Sequence, residues 1–271
     1  MSATGRPQGL KQIWPNGSPL IGMVHLLPLP GSPRWGGSMA EVLDRAAADA
    51  RALAEAGFDG VLVENFLDAP FFGGAVPSVT VSAITVAVTH VASAVDCPLG
   101  VNVLRNDVVA ALGIATATGA RFVRANVHTG SMWTDQGLIE GRANETLRLR
   151  QALGADIAIL ADVHVKHATP PVGSKLESSA RDTWHRGLAD ALVVSGQGTG
   201  QSTKLGDVLT VRKAVPEATL LVGSGLTLAQ GPELLAAADG AIVGTSIMND
   251  ERPGAGIDPG RAAAFVRALR P

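Results

Sequence analysis

Short apolar runs recur along the chain at intervals of a few tens of residues. Most of them are continuous stretches of Val, Ile and Leu rather than alternations of apolar and polar residues. Continuous runs are typical of strands that are buried on both faces of a parallel sheet. The pattern predicts eight strands, which lie at Leu20–His25, Gly60–Glu64, Leu99–Leu104, Phe122–Asn126, Ile157–Lys166, Ala191–Ser195, Leu220–Gly223 and Ala241–Gly244.

A stretch with helical character follows each predicted strand. The first of these stretches is rich in alanine and carries its charged residues on one side, as a helix packed on a sheet requires. The eight helices are predicted at Met39–Ala56, Ser78–Val95, Asp107–Thr118, Arg142–Leu153, Lys175–Arg186, Leu205–Val215, Leu228–Ala238 and Gly260–Leu269.

Eight strand–helix pairs favour an α/β fold of the closed (β/α)8 kind, the TIM barrel, in its phosphate-binding type. The runner-up is an open doubly wound sheet, which usually carries a glycine-rich phosphate turn directly after its first strand. The first strand here is followed by Leu26-Leu27-Pro28, without such a turn. We expect residues 20–271 to form one barrel domain and residues 1–19 to form an N-terminal arm or a cap on the barrel floor.

The composition is that of a folded protein with few charges. Of the 271 residues, 46% are hydrophobic and 17% are charged, and the formal net charge is −2. A chain without a basic excess is unsuited to non-specific binding of nucleic acid. Because the charged fraction lies below the ~25% of an average soluble protein, we expect part of the neutral surface to be buried in a homo-oligomer.

Several features favour a cytoplasmic protein. Cys97 is the single cysteine, so no intrachain disulfide can form, and the N-terminal residues lack the apolar core of a signal peptide. Residues 69–95 contain no Asp, Glu, Lys or Arg, but prolines and glycines interrupt their first third, and serines and threonines recur in the rest. We expect a packed barrel helix in this segment, with peripheral contact to a membrane left open.

Two glycine turns follow the last two predicted strands. They are Gly223-Ser224-Gly225 and Gly244-Thr245-Ser246. In a (β/α)8 barrel the loops after the seventh and eighth strands meet, and they frequently form a phosphate site from backbone N–H groups. The sequence therefore predicts a phosphorylated small molecule as the ligand, with Gly196 of the glycine-rich segment 196–200 as a further contact. The alternative is that these are tight turns without a ligand.

Polar residues at the ends of the other strands are the candidates for catalysis. In the fifth strand, Asp162, His164 and Lys166 alternate with apolar residues, so we expect them to share one face directed into the barrel mouth. His25 and Glu64, from the first two strands, complete the predicted catalytic group. The predicted substrate-binding residues come from the third, fourth and sixth strands and are Asn102, Arg124, Asn126 and Ser195. A structural ion pair is the alternative for any one of these charged residues.

A divalent metal ion is the one cofactor that the residues leave open. His25, Glu64, Asp162 and His164 are suitable ligand types. The chain contains no short motif with metal-ligand spacing, such as His-Glu-x-x-His. Metal binding therefore stays an alternative to a site made of side chains alone.

Two longer segments follow the second and fourth predicted strands. Phe66–Pro77 and His128–Gly141 both carry aromatic residues and glycines. Segments of this kind over a barrel mouth can act as lids that exclude water. Contact between subunits is the alternative.

With these motifs the chain resembles the BtpA family, which is named for a cyanobacterial factor in photosystem I biogenesis. The resemblance runs from about residue 19 to near the C-terminus. It is carried by the segments Ile21–Pro33, Val63–Phe66, Gly100–Asn106, Phe122–Val127, Ala161–His167 and Gly223–Gly225. It implies a (β/α)8 barrel of the phosphate-binding type. The cyanobacterial member resembles a peripheral membrane protein, whereas other relatives occur in organisms without photosystems, some beside genes for sugar use.

Two functions are consistent with these observations. The first is an enzyme that acts on a phosphorylated sugar or nucleoside by acid–base chemistry, as isomerases, epimerases and lyases do, with Lys166 as a cation or a Schiff-base amine. The second, which the resemblance implies, is a non-catalytic peripheral membrane factor for the biogenesis of photosystem I or the assembly of another membrane complex.

Overall fold

Eight parallel strands form a closed barrel in a computed structural model that describes residues 10–15, 17–196, 198–199 and 201–270. The chain has eleven strands in these ranges, and three of them lie outside the barrel. The barrel strands are β1 (Leu20–His25), β2 (Gly60–Glu64), β3 (Leu99–Asn102), β4 (Phe122–Ala125), β7 (Ala158–Asp162), β9 (Ala191–Val194), β10 (Leu220–Val222) and β11 (Gly240–Val243).

The order of these strands around the barrel follows the sequence. Each of the eight barrel strands pairs in parallel with the next barrel strand along the chain, and β11 pairs with β1 to close the barrel. The predicted TIM barrel is therefore confirmed. Pairing sets His25 opposite Glu64, and Glu64 opposite Asn102. Because strands in register place such residues at one height, three polar side chains lie side by side at the carboxyl ends of β1, β2 and β3.

Helices cover the outside of the barrel and follow the predicted order. Their bounds are α1 (Met39–Ala56), α2 (Ser78–Ala92), α3 (Val108–Thr118), α4 (Ala143–Ala152), α5 (Leu176–Arg181), α6 (Leu205–Ala214), α7 (Gly231–Ala237) and α8 (Pro259–Leu269). Asp107 caps the N-terminus of α3, with Oδ1 accepting from the Ala110 N–H at 2.9 Å. The predicted helix Lys175–Arg186 is instead α5 followed by a π-helical turn at Asp182–Arg186.

The fifth predicted strand is too long, and the shared face inferred from it is wrong. β7 ends at Asp162, and the chain then turns, with φ at +58° for His164 and +55° for His167. Left-handed residues break the two-residue repeat of a strand. His164 therefore does not lie on one strand face with Asp162 and Lys166, although the alternation of polar and apolar residues predicts that it does.

A three-stranded sheet stands beside the barrel mouth, where a loop was predicted at His128–Gly141. Its strands are β5 (Ser131–Thr134), β6 (Gly137–Glu140) and β8 (Ala168–Thr169), all antiparallel. The inner side chains Met132 and Ile139 are buried, while Trp133 is exposed. This sheet connects the loop after β4 to the loop after β7, so β8 holds the C-terminal end of the turn that carries Lys166, while the barrel strand β7 holds the other end.

The amino end of the barrel is closed by an aromatic residue from the segment before β1. The Trp14 ring lies 5.2 Å from that of Phe122, and its Nε1–H donates to the Asp59 carbonyl at 2.8 Å. A Cβ on Gly100 would lie 2.1 Å from the Phe122 ring, so glycine makes the space for that ring inside the barrel. Residues 1–9 and Asn16 of the predicted arm lie outside the described residues.

Among the described residues, no helix is both long and apolar enough to cross a membrane. The segment that lacks charges, residues 69–95, contributes α2 and the loop before it. Its buried side chains, Ile84, Val88 and Val91 among them, belong to the main hydrophobic core.

The Trp14 contact can be tested by unfolding in urea. Trp14 is 6% exposed, so we expect Trp14→Ala to lower the free energy of unfolding by about 3–5 kcal/mol, because it leaves a cavity and an unpaired carbonyl. Trp133→Ala is the matched control. Trp133 is 56% exposed, and its removal should change stability by less than about 0.5 kcal/mol. Equal effects of the two substitutions would contradict a packed floor.

Candidate functional site

A layer of polar side chains crosses the barrel at the carboxyl ends of its strands. It consists of His25, Glu64, Asn102, Arg124 and Asp162, contributed by β1, β2, β3, β4 and β7, and none is more than 5% exposed. Polar groups are costly to bury unless they are paired or bind a ligand. The carboxyl ends of the strands are also the usual position of active sites in (β/α)8 enzymes.

Asp162 accepts four hydrogen bonds from three neighbouring side chains. Arg124 donates to its carboxylate twice, from Nε at 3.0 Å and from a terminal nitrogen at 2.8 Å, while Asn126 donates at 3.1 Å and Ser195 at 3.3 Å. Burial acts to lower the pKa of Arg124, but the Asp162 carboxylate outweighs it and the pKa is raised. In this bidentate pair both Asp162 oxygens accept from the guanidinium. Asp162 therefore positions Arg124.

Glu64 is less fully engaged than Asp162. The Asn102 amide donates to its Oε2, whereas Oε1 lies 3.8 Å from Nε2 of His25, beyond hydrogen-bond distance. The Phe66 ring stacks on the His25 imidazole at a centroid distance of 4.3 Å. Burial lowers the pKa of His25 to about 4, against the opposing effect of Glu64 and with reinforcement from Lys166 and Arg124. At neutral pH the imidazole is uncharged.

Lys166 lies in the turn after β7 and reaches into the barrel mouth. Its Nζ is 5.8 Å from the centre of the Phe66 ring, and its backbone carbonyl accepts from Arg105 at 2.6 Å. Among the described residues, its ammonium has no ion pair or hydrogen bond. Burial lowers the pKa of Lys166, with Glu64 opposing and Arg124 reinforcing the shift. A larger fraction of this amine is therefore uncharged near neutral pH than is usual for lysine.

A cavity of about 310 Å³ brings the two glycine turns together with these side chains. Its walls include His25, Arg124 and Lys166 on one side, and the predicted phosphate-binding residues on the other, namely Gly223, Ser224, Gly225, Gly244, Thr245 and Ser246. At Gly225 φ is +79° and a Cβ would lie 1.8 Å from the Gln201 carbonyl, so the turn requires glycine.

The loop after β9 contributes to the same cavity, although Gly196 itself does not line it. Thr199 and Gln201 are the lining residues of this loop. A Cβ on Gly196 would lie 2.2 Å from the Gln201 carbonyl, so this glycine permits the loop to fold back on itself. Gln197 and Gly200 of the predicted segment 196–200 lie outside the described residues.

A second cavity, of about 650 Å³, adjoins the first and shares Lys166, Thr199 and Pro253 with it. Glu64 lines this second cavity together with Phe66 and Arg105. Phe66 and Arg105 are absent from the predicted site. Both follow a predicted strand within a few residues, which was the available signal, since loops after barrel strands carry the site residues.

His164 and Asn126 line a third cavity, of about 540 Å³, on the other side of Asp162. The His164 Nε2 lies 2.9 Å from the Ser179 hydroxyl of α5. Ser195 faces Asp162 and Arg124 rather than any of these cavities. The predicted site residues therefore divide, with His25, Glu64, Arg124 and Lys166 around the first two cavities and with His164 and Asn126 apart from them.

Two buried polar atoms in the layer have no hydrogen-bond partner among the described residues. They are His25 Nδ1 and Asn102 Oδ1, and Asn126 Oδ1, which lies beside the third cavity, is a third such atom. Buried polar atoms are nearly always paired in folded proteins. The unpaired atoms are consistent with a site that a polar ligand completes.

The described residues contain no group of three or more His, Cys, Asp or Glu side chains arranged to hold a metal ion. His164 lies apart from His25 and Glu64, which removes one of the four ligands considered from the sequence. The divalent metal has no ready-made ligand set in this part of the chain.

The fold and the site define a (β/α)8-barrel protein whose polar mouth lies beside two glycine-rich loops. The chain belongs to the BtpA family, whose model matches residues 16–270. It is 46% identical over 260 residues to the photosystem I biogenesis protein BtpA of Synechocystis, and the match covers 96% of this chain and 91% of that protein.

Two solved structures show the fold at low sequence identity. The (S)-3-O-geranylgeranylglyceryl phosphate synthase of Thermoplasma acidophilum, solved with its substrate sn-glycerol-1-phosphate, aligns with a TM-score of 0.60 at 16% identity over 96% of both chains. A tryptophan synthase of Mycobacterium tuberculosis aligns with a TM-score of 0.59 at 19% identity, over 94% of this chain and 91% of that one. Both neighbours are TIM-barrel enzymes.

The state of His25 can be tested by NMR and by pH-dependent unfolding. Its imidazole should titrate near pH 4 in the folded protein and near 6.5 in the unfolded chain. Between these values only the unfolded state binds the proton. The free energy of unfolding should therefore fall by about 1.4 kcal/mol for each pH unit of acidification below 6.5, and it should be unaffected by His25 above pH 6.5. His25→Asn should remove this slope. A folded-state titration near 6.5 would contradict the buried, neutral imidazole.

Proposed function

We propose that this protein is an enzyme that acts on a phosphorylated sugar or nucleoside by acid–base chemistry at the barrel mouth. One observation carries the proposal: the cavity lined by both glycine turns is also lined by Lys166, His25 and Arg124. A ligand whose phosphate lies against the turns would extend toward these side chains. The two solved structures named above are TIM-barrel enzymes. They support an enzymatic function only through the likeness of their fold to that of this chain.

The phosphate end of the site is formed by backbone and hydroxyl groups. Gly244 precedes the short 3-10 turn Thr245–Ile247, and a Cβ on Gly244 would meet nothing closer than 3.4 Å. The absence of a side chain at Gly244 lets a ligand approach the backbone N–H groups of this turn. Among the described residues, the Thr245 and Ser246 hydroxyls have no hydrogen-bond partner, which leaves them available to phosphate oxygens.

The reacting end of the site is assigned to Glu64, His25 and Lys166. Asn102 orients Glu64 through Oε2, while Oε1 accepts no hydrogen bond from the described residues, so Glu64 is the proposed proton carrier. Neutral His25 is the proposed hydrogen-bond donor to a substrate oxygen, through the nitrogen that carries its proton. Asp162, which we expected to transfer protons, is proposed to hold Arg124 in place instead.

Lys166 can take part in this chemistry in two ways, as a protonated cation (the first branch) or as an uncharged nucleophile (the second branch). An amine with a lowered pKa can attack a substrate carbonyl, form the carbon–nitrogen bond of an imine and release water. The imine then draws electrons from the neighbouring carbon–hydrogen bond while Glu64 takes the proton. In the first branch, Lys166 remains protonated and stabilises the oxygen of an enolate.

Phosphate binding can be tested with a charge at Ser246. Ser246→Asp should weaken the binding of inorganic phosphate at least about tenfold, because two negative charges within a few ångströms repel one another. Ser246→Asn has nearly the same shape without the charge and should change the affinity by less than about threefold. Isothermal titration calorimetry measures both dissociation constants. Equal affinities in the two variants would place the anion elsewhere.

Proton transfer can be tested by exchange of substrate hydrogen with D2O, followed by NMR across a panel of sugar phosphates. Glu64→Gln should slow exchange by at least about 100-fold, in the range of a general base, and leave phosphate affinity unchanged. Borohydride with the same panel traps an imine as a mass increase that Lys166→Met removes. Exchange without a trapped adduct selects the enolate branch. Exchange that persists in Glu64→Gln would contradict the assignment of the base.

The second candidate function is assembly of a membrane complex without catalysis. It is favoured by the uncharged, partly exposed faces of α2 and α3, where Val79, Val86 and Val109 point to solvent, and by the name of the Synechocystis relative. The same faces are also where we propose a second copy of the chain or a membrane to bind. A non-catalytic factor would show no exchange of substrate hydrogen, so the Glu64 experiment separates the two functions.

A further inference from the structure

Arg105 differs from the other buried arginines of this protein. Three arginines of the described residues are buried to about the same degree, with exposures of 3–4%, and they are Arg105, Arg124 and Arg150. Arg124 pairs with Asp162 at 2.8 Å, and Arg150 pairs with Asp190 at 2.6 Å. Among the described residues, no carboxylate lies within ion-pair distance of Arg105. Its guanidinium makes one hydrogen bond, to the Lys166 carbonyl.

A buried charge without a partner is costly, because burial removes water and returns no compensating interaction. Burial lowers the pKa of Arg105, with Asp162 and Glu64 acting from a greater distance in the opposite sense, but arginine stays protonated in proteins. The protein therefore keeps a full positive charge in a position where its own carboxylates do not neutralise it.

Two hydrogen bonds from the loop after β2 fix the backbone of Leu104 and Arg105. The Asn65 side chain accepts from the Leu104 N–H at 2.8 Å, and the Phe72 carbonyl accepts from the Arg105 N–H at 3.2 Å. The loops after β2 and β3 are thus tied together next to the guanidinium. Such preorganisation reduces the conformational entropy that a bound ligand must offset.

The guanidinium lines the second cavity, which adjoins the phosphate cavity at Lys166. Arg34 enters this cavity from the loop after β1 and donates to the Leu67 carbonyl. Three cations thus face one space, against the carboxylates of Glu64 and Asp135. Arg34 and Asp135 are both exposed and lie at the rim, which leaves Arg105 and Lys166 against the single carboxylate of the buried Glu64 in the interior. The excess of positive charge therefore lies in the interior of the cavity.

We propose that the second cavity binds an acidic group of the same ligand whose phosphate lies in the first, so that the substrate is a phosphorylated sugar acid or a bisphosphate. The inference rests on the proposed function for the phosphate end. Arg105 binds the second acidic group through two guanidinium nitrogens, which match a carboxylate or a phosphate in geometry. Lys166 lies between the two acidic groups, next to the atoms that would react.

The test compares two pairs of probes that differ in one acidic group. The pairs are 6-phosphogluconate with sorbitol 6-phosphate, and fructose 1,6-bisphosphate with fructose 6-phosphate. In the unaltered protein, calorimetry should show that the doubly acidic member of at least one pair binds about tenfold or more tightly, in the range of a charged hydrogen bond. The pair that shows the preference distinguishes a carboxylate from a second phosphate. Equal affinities within both pairs overturn the proposal.

Variants at Arg105 assign the preference to this residue. Arg105→Met should reduce the preference to less than about threefold and leave the affinity for inorganic phosphate unchanged. Arg105→Lys keeps the charge but lacks the paired guanidinium nitrogens, so it should retain part of the preference. This variant replaces Arg105→Met in the test if Arg105→Met is unstable. Arg121→Met removes the same charge from an exposed position at the opposite end of the barrel and should behave as the unaltered protein. A preference that survives in Arg105→Met overturns the proposal.

Gluconate, which has the carboxylate without a phosphate, separates this inference from the proposed function. Saturation-transfer NMR detects its weak binding at millimolar concentration. Binding that Arg105→Met abolishes supports the acidic subsite even if inorganic phosphate does not bind, in which case the phosphate site alone fails. Binding of phosphate without any preference for a second acidic group leaves the proposed function in place and overturns this inference. Failure of every probe overturns both.

Discussion

Closure of eight parallel strands determines where the polar side chains of this protein can lie. In a closed barrel the register of each strand is fixed by both neighbours, so the last inward residue of every strand enters one common layer. His25, Glu64 and Asn102 are paired in this way along β1, β2 and β3. Arg124 and Asp162 continue the layer on β4 and β7. The layer is costly to bury, and the protein reduces the cost through the bidentate pair and through hydrogen bonds to Asn102, Asn126 and Ser195.

The two carboxylates of the layer have different environments and therefore different capacities. Asp162 accepts four hydrogen bonds, two of them from Arg124, and so holds the guanidinium of Arg124 toward the phosphate cavity. Glu64 is bound by one amide and has an oxygen that faces uncharged His25 across 3.8 Å. Two acids separated in role by their surroundings are a common arrangement for acid–base chemistry. The same reasoning distinguishes Arg124, which is paired, from Arg105, which is not.

Much of the fold follows from the sequence because the barrel strands are short and continuously apolar. The sequence places the eight strands within a few residues of their observed bounds. It also predicts that the glycine turns lie close to Lys166. The prediction failed for the segment 163–166, since an alternating pattern does not reveal that His164 adopts a left-handed conformation. It also failed for the hairpin β5–β6, because the exposed Trp133 and Leu138 are apolar like the buried Met132 and Ile139 beside them, and they obscure the alternation. Arg105 was visible as a residue after β3, but the absence of a carboxylate near it is a property of three-dimensional packing.

The sheet made of β5, β6 and β8 has a consequence for how this scaffold can diverge. The turn that carries Lys166 is five residues long and is anchored by β7 at one end and by β8 at the other. It has no slack, so one inserted residue would displace the amine from both cavities. The hairpin tip at Asp135 and Gln136 joins β5 to β6, and neither of these strands belongs to the barrel. We expect variation in length among relatives to accumulate at that tip, and new specificities to arise by lengthening the rim of the mouth around an amine whose position is conserved.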